Sequence, residues 1–449
     1  MGPPNSNAVR RRATLVLVVS LLAVAPARSD GMLDPSFGNG GIVKTNFFPG
    51  GSSWDGAGSL VVLPDGRAVA AGAAGDIKYR LMAAARYLPS GALDKTFGGD
   101  GLVVVDCEDS WLGGSAGAAL LQPDGRLVLV GRCSKSPVPL TEGFWIVRLN
   151  MDGSLDPSFG TGGQVFTPFP GGLFGATGLL QPDGRIAAAG SGGTGGPHAL
   201  KAARYNPDGS LDQTFGTAGQ VVFPLAQDFL IASAALQPDG KLVFGGTYGD
   251  AGEPTVGDFG LVRLLSDGTP DPSFDGDGAV ISDFGAVEKG HSVIVLGDGR
   301  LVLAGYRGTS PLIDFALVRY LSDGTLDKSF GVGGLATADA GGIDVANAVI
   351  QLPNGKLLAV GYFVPPGPFP NTDFLLARFL ADGVLDTSFG AAGFLRTKIS
   401  PQPDYCNTVV IAGPDLILTA GTTSQDVQDF ALARYIASTP VEALTFDVE

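Results

Sequence analysis

Seven arginines stand at matching places along this chain, Arg86, Arg148, Arg204, Arg263, Arg319, Arg378 and Arg434. Guanidinium groups in number are what a site for carboxylate ligands would need. A ligand site needs its groups once, however, and a side chain that returns in every repeat answers a need of every repeat. Each arginine is therefore expected to be structural, partly buried and paired with the Asp of a Leu-Asp-x-Ser/Thr-Phe segment, as Arg319 with Asp327. Asp-rich stretches such as Asp275-Gly276-Asp277-Gly278 and Asp208-Gly209-Ser210-Leu211-Asp212 lack the closing glutamate of a calcium loop. They read as turns, which Asp favours by bonding its own backbone. Only two histidines are present, His198 and His291. Neither lies in a nucleophile-elbow context, and both read as polar loop residues. No catalytic residue, metal ligand set or cofactor signature emerges.

What differs from repeat to repeat is more informative about recognition. Two kinds of connection vary in length and composition, and in a four-stranded meander both emerge on one face. These links carry Phe47, Phe48 and Trp54, then Asp106, Cys107, Glu108, Asp109 and Trp111, then Phe169 and Phe174. Further along come Asp228 and Phe229, Asp283, Phe284, Glu288 and His291, Asp339 and Asp344, and Asp404 and Tyr405. Aromatic residues among acids suit a binding surface. The candidates are Trp54, Asp106, Glu108, Asp109, Trp111, Asp283, Glu288, His291, Asp339, Asp344 and Tyr405. Cys107 and Cys133 fall on the same face of one repeat, so a disulfide between them is expected, with Cys406 free. Three cysteines without a CxxC support no zinc site.

The elements that must position these residues come from repetition. A Leu-Asp-x-Ser/Thr-Phe-Gly segment places Phe37, Phe97, Phe159, Phe215, Phe274, Phe330 and Phe389 at intervals of 56 to 62 residues. A Pro/Gly-Asp-Gly-Arg/Lys turn recurs at Gly66, Gly125, Gly184, Gly240, Gly299 and Gly355, and the seventh copy has decayed to Gly413-Pro414-Asp415. Each unit reads as four short strands with no helix signal. In the fifth copy these are residues 292–296, 301–304, 315–320 and 334–337, the first two joined by the Asp-Gly turn. The recurring phenylalanines are expected to plug between neighbouring units. The chain opens with a lone fourth strand at 41–45 and ends with three strands at 408–411, 416–419 and 430–435. The expected fold is thus all-β, a seven-bladed β-propeller of four-stranded antiparallel blades closed by the N-terminal strand pairing into the last blade.

These landmarks resemble the delta-60 repeat family, a bacterial β-propeller repeat that reads Leu-Asp-x-Ser/Thr-Phe-Gly-x-x-Gly, with an Asp-Gly-Lys/Arg turn and an Asp-Phe-Ala-Leu-Ala-Arg-Tyr strand. Asp314-Phe315-Ala316-Leu317-Val318-Arg319-Tyr320 is the clearest copy of that strand. Departures are local: Asp275 follows Phe274 in place of glycine, and the first three copies lack Asp-Phe. The resemblance implies the propeller fold and no particular reaction.

At the N-terminus, Arg10 to Arg12 precede an apolar run from Ala13 to Ala25, and Ala25-Pro26-Ala27 fits a signal-peptidase site. Residues 1–27 are therefore expected to be a signal peptide, 28–436 the propeller and 437–449 a C-terminal tail, with the product secreted or periplasmic. No later stretch has the roughly 20 apolar residues of a membrane helix. The formal charge of −15 becomes −18 once the three arginines of the leader are gone, which disfavours nucleic acid and anionic lipid as partners. Three readings of function remain. The first is a scaffold that binds a protein, peptide or glycan on the variable face; the second is a hydrolase or lyase with carboxylates at the channel mouth; the third is a structural module.

Overall fold

The computed structural model describes residues 30–437 apart from 51–52, 77–78, 108–109, 136–140, 194–196, 250–255, 368–370 and 426. The expected signal peptide and nearly all of the expected tail lie outside the described residues. Among these there are 28 strands and no helix. They fall into consecutive antiparallel sets of four, at 56–105, 110–168, 174–223, 229–282, 288–338 and 343–397. The strands Asp404–Gly413, Leu416–Gln425 and Val427–Ile436 form a last sheet, and Ile42–Thr45 pairs with its third strand. Each such set is called a unit here, numbered from 56–105.

Turn chemistry explains the unit. In the fifth, Gly299 at φ +87° donates to Leu296 O and Leu296 N–H donates to Arg300 O, closing the hairpin that Asp298 begins. Residues 301–305 of the second strand and 315–320 of the third are buried, which their continuous apolar runs require, while the ends towards the variable side are partly or fully exposed. The strands run Glu288–Val295, Leu301–Thr309, Leu312–Tyr320 and Leu335–Ala338. The first three therefore begin or end several residues further towards the variable side than the sequence suggested. A bulge between Gly290 and Ser292 hides the extension, because one extra residue breaks the period-2 alternation. His291 is the bulged residue, so it belongs to the first strand and not to the link before it.

The core is divided among the junctions between units. One cluster joins the first and second units through Met82, Phe97 and Trp145, and others repeat the pattern along the chain. The last unit packs on the first in the same manner, through Phe37, Phe47, Leu418 and Phe430 against Ala57, Leu60 and Tyr87.

Candidate functional site

The seven arginines are between 1 and 8% exposed, and each Nε lies 2.7–3.0 Å from one carboxylate, those of Asp94, Asp156, Asp212, Asp271, Asp327, Asp386 and Asp34 in turn. The same guanidinium stacks on the repeat's phenylalanine at 4.3–4.7 Å. A second nitrogen reaches the following unit: Arg86 donates to Met151 O, Arg148 to Pro207 O, Arg319 to Ala381 O, and Arg434 to Pro89 O. Each arginine thus ties a strand, a link and a neighbouring unit together, with its charge already matched.

The variable face distributes its residues in local groups. Trp54 is 37% exposed and bridged to Gln428 of the last unit. Asp106 is exposed and accepts the Tyr79 hydroxyl, whose pKa that bond pushes up to about 12. Cys107 and Cys133 are bonded to each other, and Cys406 is a buried thiol. Glu108 and Asp109 lie outside the described residues, and Trp111 falls within the strand Ser110–Leu121. Tyr405 meets Tyr362 edge to face at 5.0 Å. His198 faces Asp228, with Nδ1 2.7 Å from its carboxylate. Asp106, Asp283 and the pair Asp339 and Asp344 occupy three separate groups.

Several residues expected in the links lie in strands instead, Phe229, Asp404 and Tyr405 as well as Glu288, His291 and Asp344. Glu288 and Asp344 are fully buried near the start of first strands. His291 packs against Tyr306, and its Nδ1 is 2.9 Å from Ala346 O, which requires the Nδ1-protonated form. Burial lowers its pKa. Two asparagines at the same bulge do likewise: Asn347 donates to Cys406 O, and Asn407 donates to Ala57 O of the first unit. His291 is thus one of a series of latches between units. The buried acids form a series as well, each accepting backbone N–H groups of the link before it. Asp55 holds Phe47, Glu288 holds Phe284 and Ala286, Asp344 holds Ala340, and Asp404 holds Ile399 and Ser400. Sequence reading missed this series because the acid stands eight residues after the held residue in the Asp55 copy and two to five after it in the others.

Around these acids, carboxylates of adjacent units converge. Oxygens of Asp258, Asp283 and Glu288 lie within 4.8 Å of one another, and so do those of Asp314, Asp339 and Asp344. Burial raises the pKa of Asp258 and Asp314, with the charges of Asp283 and Asp339 adding to it. Asp344 is pushed up to about 7 by burial first, and by Asp339 and Asp314 beside it. A cavity of about 870 Å³ opens next to both trios. Asp258, Asp283, Asp314, Arg307, Gln227 and Leu312 are among the residues lining it, and Leu312 is 77% exposed. Arg307 is paired to Glu288 at 3.2 Å.

Repeated four-stranded antiparallel units with their cores between sheets define a β-propeller. Segments 142–159, 181–215, 237–274, 296–330 and 352–389 match a family described as a domain of unknown function (DUF5122) beta-propeller. No curated protein matches the chain. Among solved structures, it is similar to polysaccharide lyase Uly1, with 13% identity over 93% of this chain and 94% of that one, at a TM-score of 0.45. A protein of unknown function from Dyadobacter fermentans aligns at 12% identity over 71% and 93%, with a TM-score of 0.42. Sqt1 from Chaetomium thermophilum aligns at 11% over 88% and 98%, also at 0.42.

Proposed function

We propose that the chain closes into a ring of seven blades and serves as an exported binding scaffold. Closure is supported by the reuse of three devices at the junction of chain ends. Gly38 N–H donates to Ser90 O as Gly98 N–H does to Asp152 O; Arg434 reaches Pro89 O as Arg86 reaches Met151 O; Asn407 reaches Ala57 O as Asn347 reaches Cys406 O. Export rests on the basic-then-apolar leader and Ala25-Pro26-Ala27.

The ligand we propose is a basic polypeptide segment, a Lys or Arg of which enters the 870 Å³ cavity between Asp258, Asp283 and Asp314. The observation that carries this is that, among the described residues, three carboxylates line one cavity whose single lining arginine already serves Glu288. Low-dielectric walls focus such a field. Leu312 at the rim adds apolar contact. Fluorescence anisotropy with labelled Lys/Arg-rich, acidic and neutral hexapeptides, and with neutral oligosaccharides, tests the reading. The basic peptide should bind, more weakly at high salt, and Asp258→Asn with Asp283→Asn should weaken it at least tenfold. Equal binding of acidic and basic peptides, preference for an oligosaccharide, or an unaffected double variant would refute it.

A further inference from the structure

At four junctions between units an aspartate stands at or within two residues of the start of a third strand, Asp258, Asp314, Asp373 and Asp429, with a buried acid opposite. Three of them supply a counterpart. Arg307 sits on Glu288 at 3.2 Å, Arg396 on Asp373 at 2.7 Å, and the Asn46 amide donates to Asp429 at 2.8 Å. At the fourth, Asp314, Asp339 and Asp344 meet with no cationic or amide side chain bonded to them among the described residues. Asp339 accepts Gly341 N–H, and Asp344 accepts Ala340 N–H through Oδ2. Oδ1 of Asp344 is left without a hydrogen-bond partner although the residue is fully buried. Asp344 thus carries a buried carboxylate oxygen without a hydrogen bond beside two further carboxylates, and only the charges of Arg307 and Arg396, neither of them bonded to the trio, offset its burial.

We propose that this junction is a divalent-cation site, with calcium as its ion, held by Asp314, Asp339 and Asp344. Hard carboxylate oxygens are the ligands calcium takes, at about 2.3–2.6 Å, so two oxygens across one ion stand roughly 4.6–5.2 Å apart. The trio, within 4.8 Å, fits around one such ion. Asp314 also lines the cavity, which leaves room for water to complete the coordination. Asp314 is shared with the proposed peptide cavity, whereas Asp339 and Asp344 stand outside its lining, so variants at those two residues test the ion site apart from the peptide-binding reading.

Titration of the chelator-treated full chain with calcium chloride, by calorimetry and by thermal unfolding, tests the site. One ion per chain should bind, with a Kd on the order of 0.1–1 mM as in extracellular modules, and should raise Tm. Asp339→Asn and Asp344→Asn should each weaken binding at least tenfold, while Asp258→Asn leaves it within twofold. Asp339 is exposed, so its variant stays informative should the buried substitution fail to fold. Absence of both heat and a Tm shift in the wild-type chain, wild-type affinity in the Asp339 variant, or loss confined to Asp258→Asn would overturn the assignment.

Discussion

Phe37→Ala probes whether the two chain ends are joined. Phe37 is 1% exposed, lies under the Arg434 guanidinium at 4.6 Å, and packs against Gly91 of the first unit. Gly91 has φ +86°, and a Cβ there would stand 2.8 Å from Gly38 N, so the approach is close and specific. Phe215 is the mid-chain counterpart, fully buried under Arg204 at 4.6 Å. Deleting a buried phenylalanine side chain costs roughly 3–5 kcal/mol. Unfolding entropy of about 2 cal/mol/K per residue, over about 400 residues, makes each kcal/mol worth roughly 1 °C. In a closed ring both variants should melt roughly 3–6 °C below wild type by scanning calorimetry. If Phe37→Ala melts within about 1 °C of wild type while Phe215→Ala falls as expected, the junction carries no load and the ring is open.

Arg319→Met leaves buried Asp327 with Arg300 at 3.1 Å as its one ion-pair partner beside the Ser329 N–H and hydroxyl, so urea denaturation should register a loss near the lower end of about 3–5 kcal/mol; a loss below about 1 kcal/mol would mean that the pair is not structural. Asp344, at about 7, lies above the ordinary aspartate value of about 3.9. Its contribution to stability is complete below about pH 4 and is lost as pH rises through about 7. In metal-free buffer, Tm should therefore decline from pH 5 to pH 8, and Asp344→Asn should flatten the decline; an identical slope in the variant would contradict the shift. Burial raises the Cys406 thiol to about 12, so maleimide should label it only after unfolding, and non-reduced peptide mapping should recover Cys107 linked to Cys133. Rapid labelling of the native chain would place Cys406 at the surface.

The all-β, four-stranded repeat was readable because its determinants are local. Asp298 and Gly299 close a hairpin within four residues, and the apolar runs 301–304 and 315–320 mark strands whatever surrounds them. Arg319 and Asp327 are separated by eight residues and recur together, which makes their association a matter of one unit's own geometry. Strand ends were less readable, since the bulge at His291 erases the alternation where the first strand begins.

The site depended on contacts between units, and no periodicity encodes those. Asp314 belongs to one unit, Asp339 to the link after it and Asp344 to the next unit, so only the packing of two sheets brings their oxygens within 4.8 Å. Whether an acid such as Asp344 or Glu288 is a surface residue or a buried clamp likewise depends on which backbone N–H groups the preceding link turns towards it. By itself the sequence determined the repeating unit, its turns and its strand number, because these follow from side chains and backbone angles a few residues apart. Tertiary structure alone decided which charges are buried, which are matched and which meet across a junction, because desolvation and Coulomb energy depend on distances between residues that the chain separates.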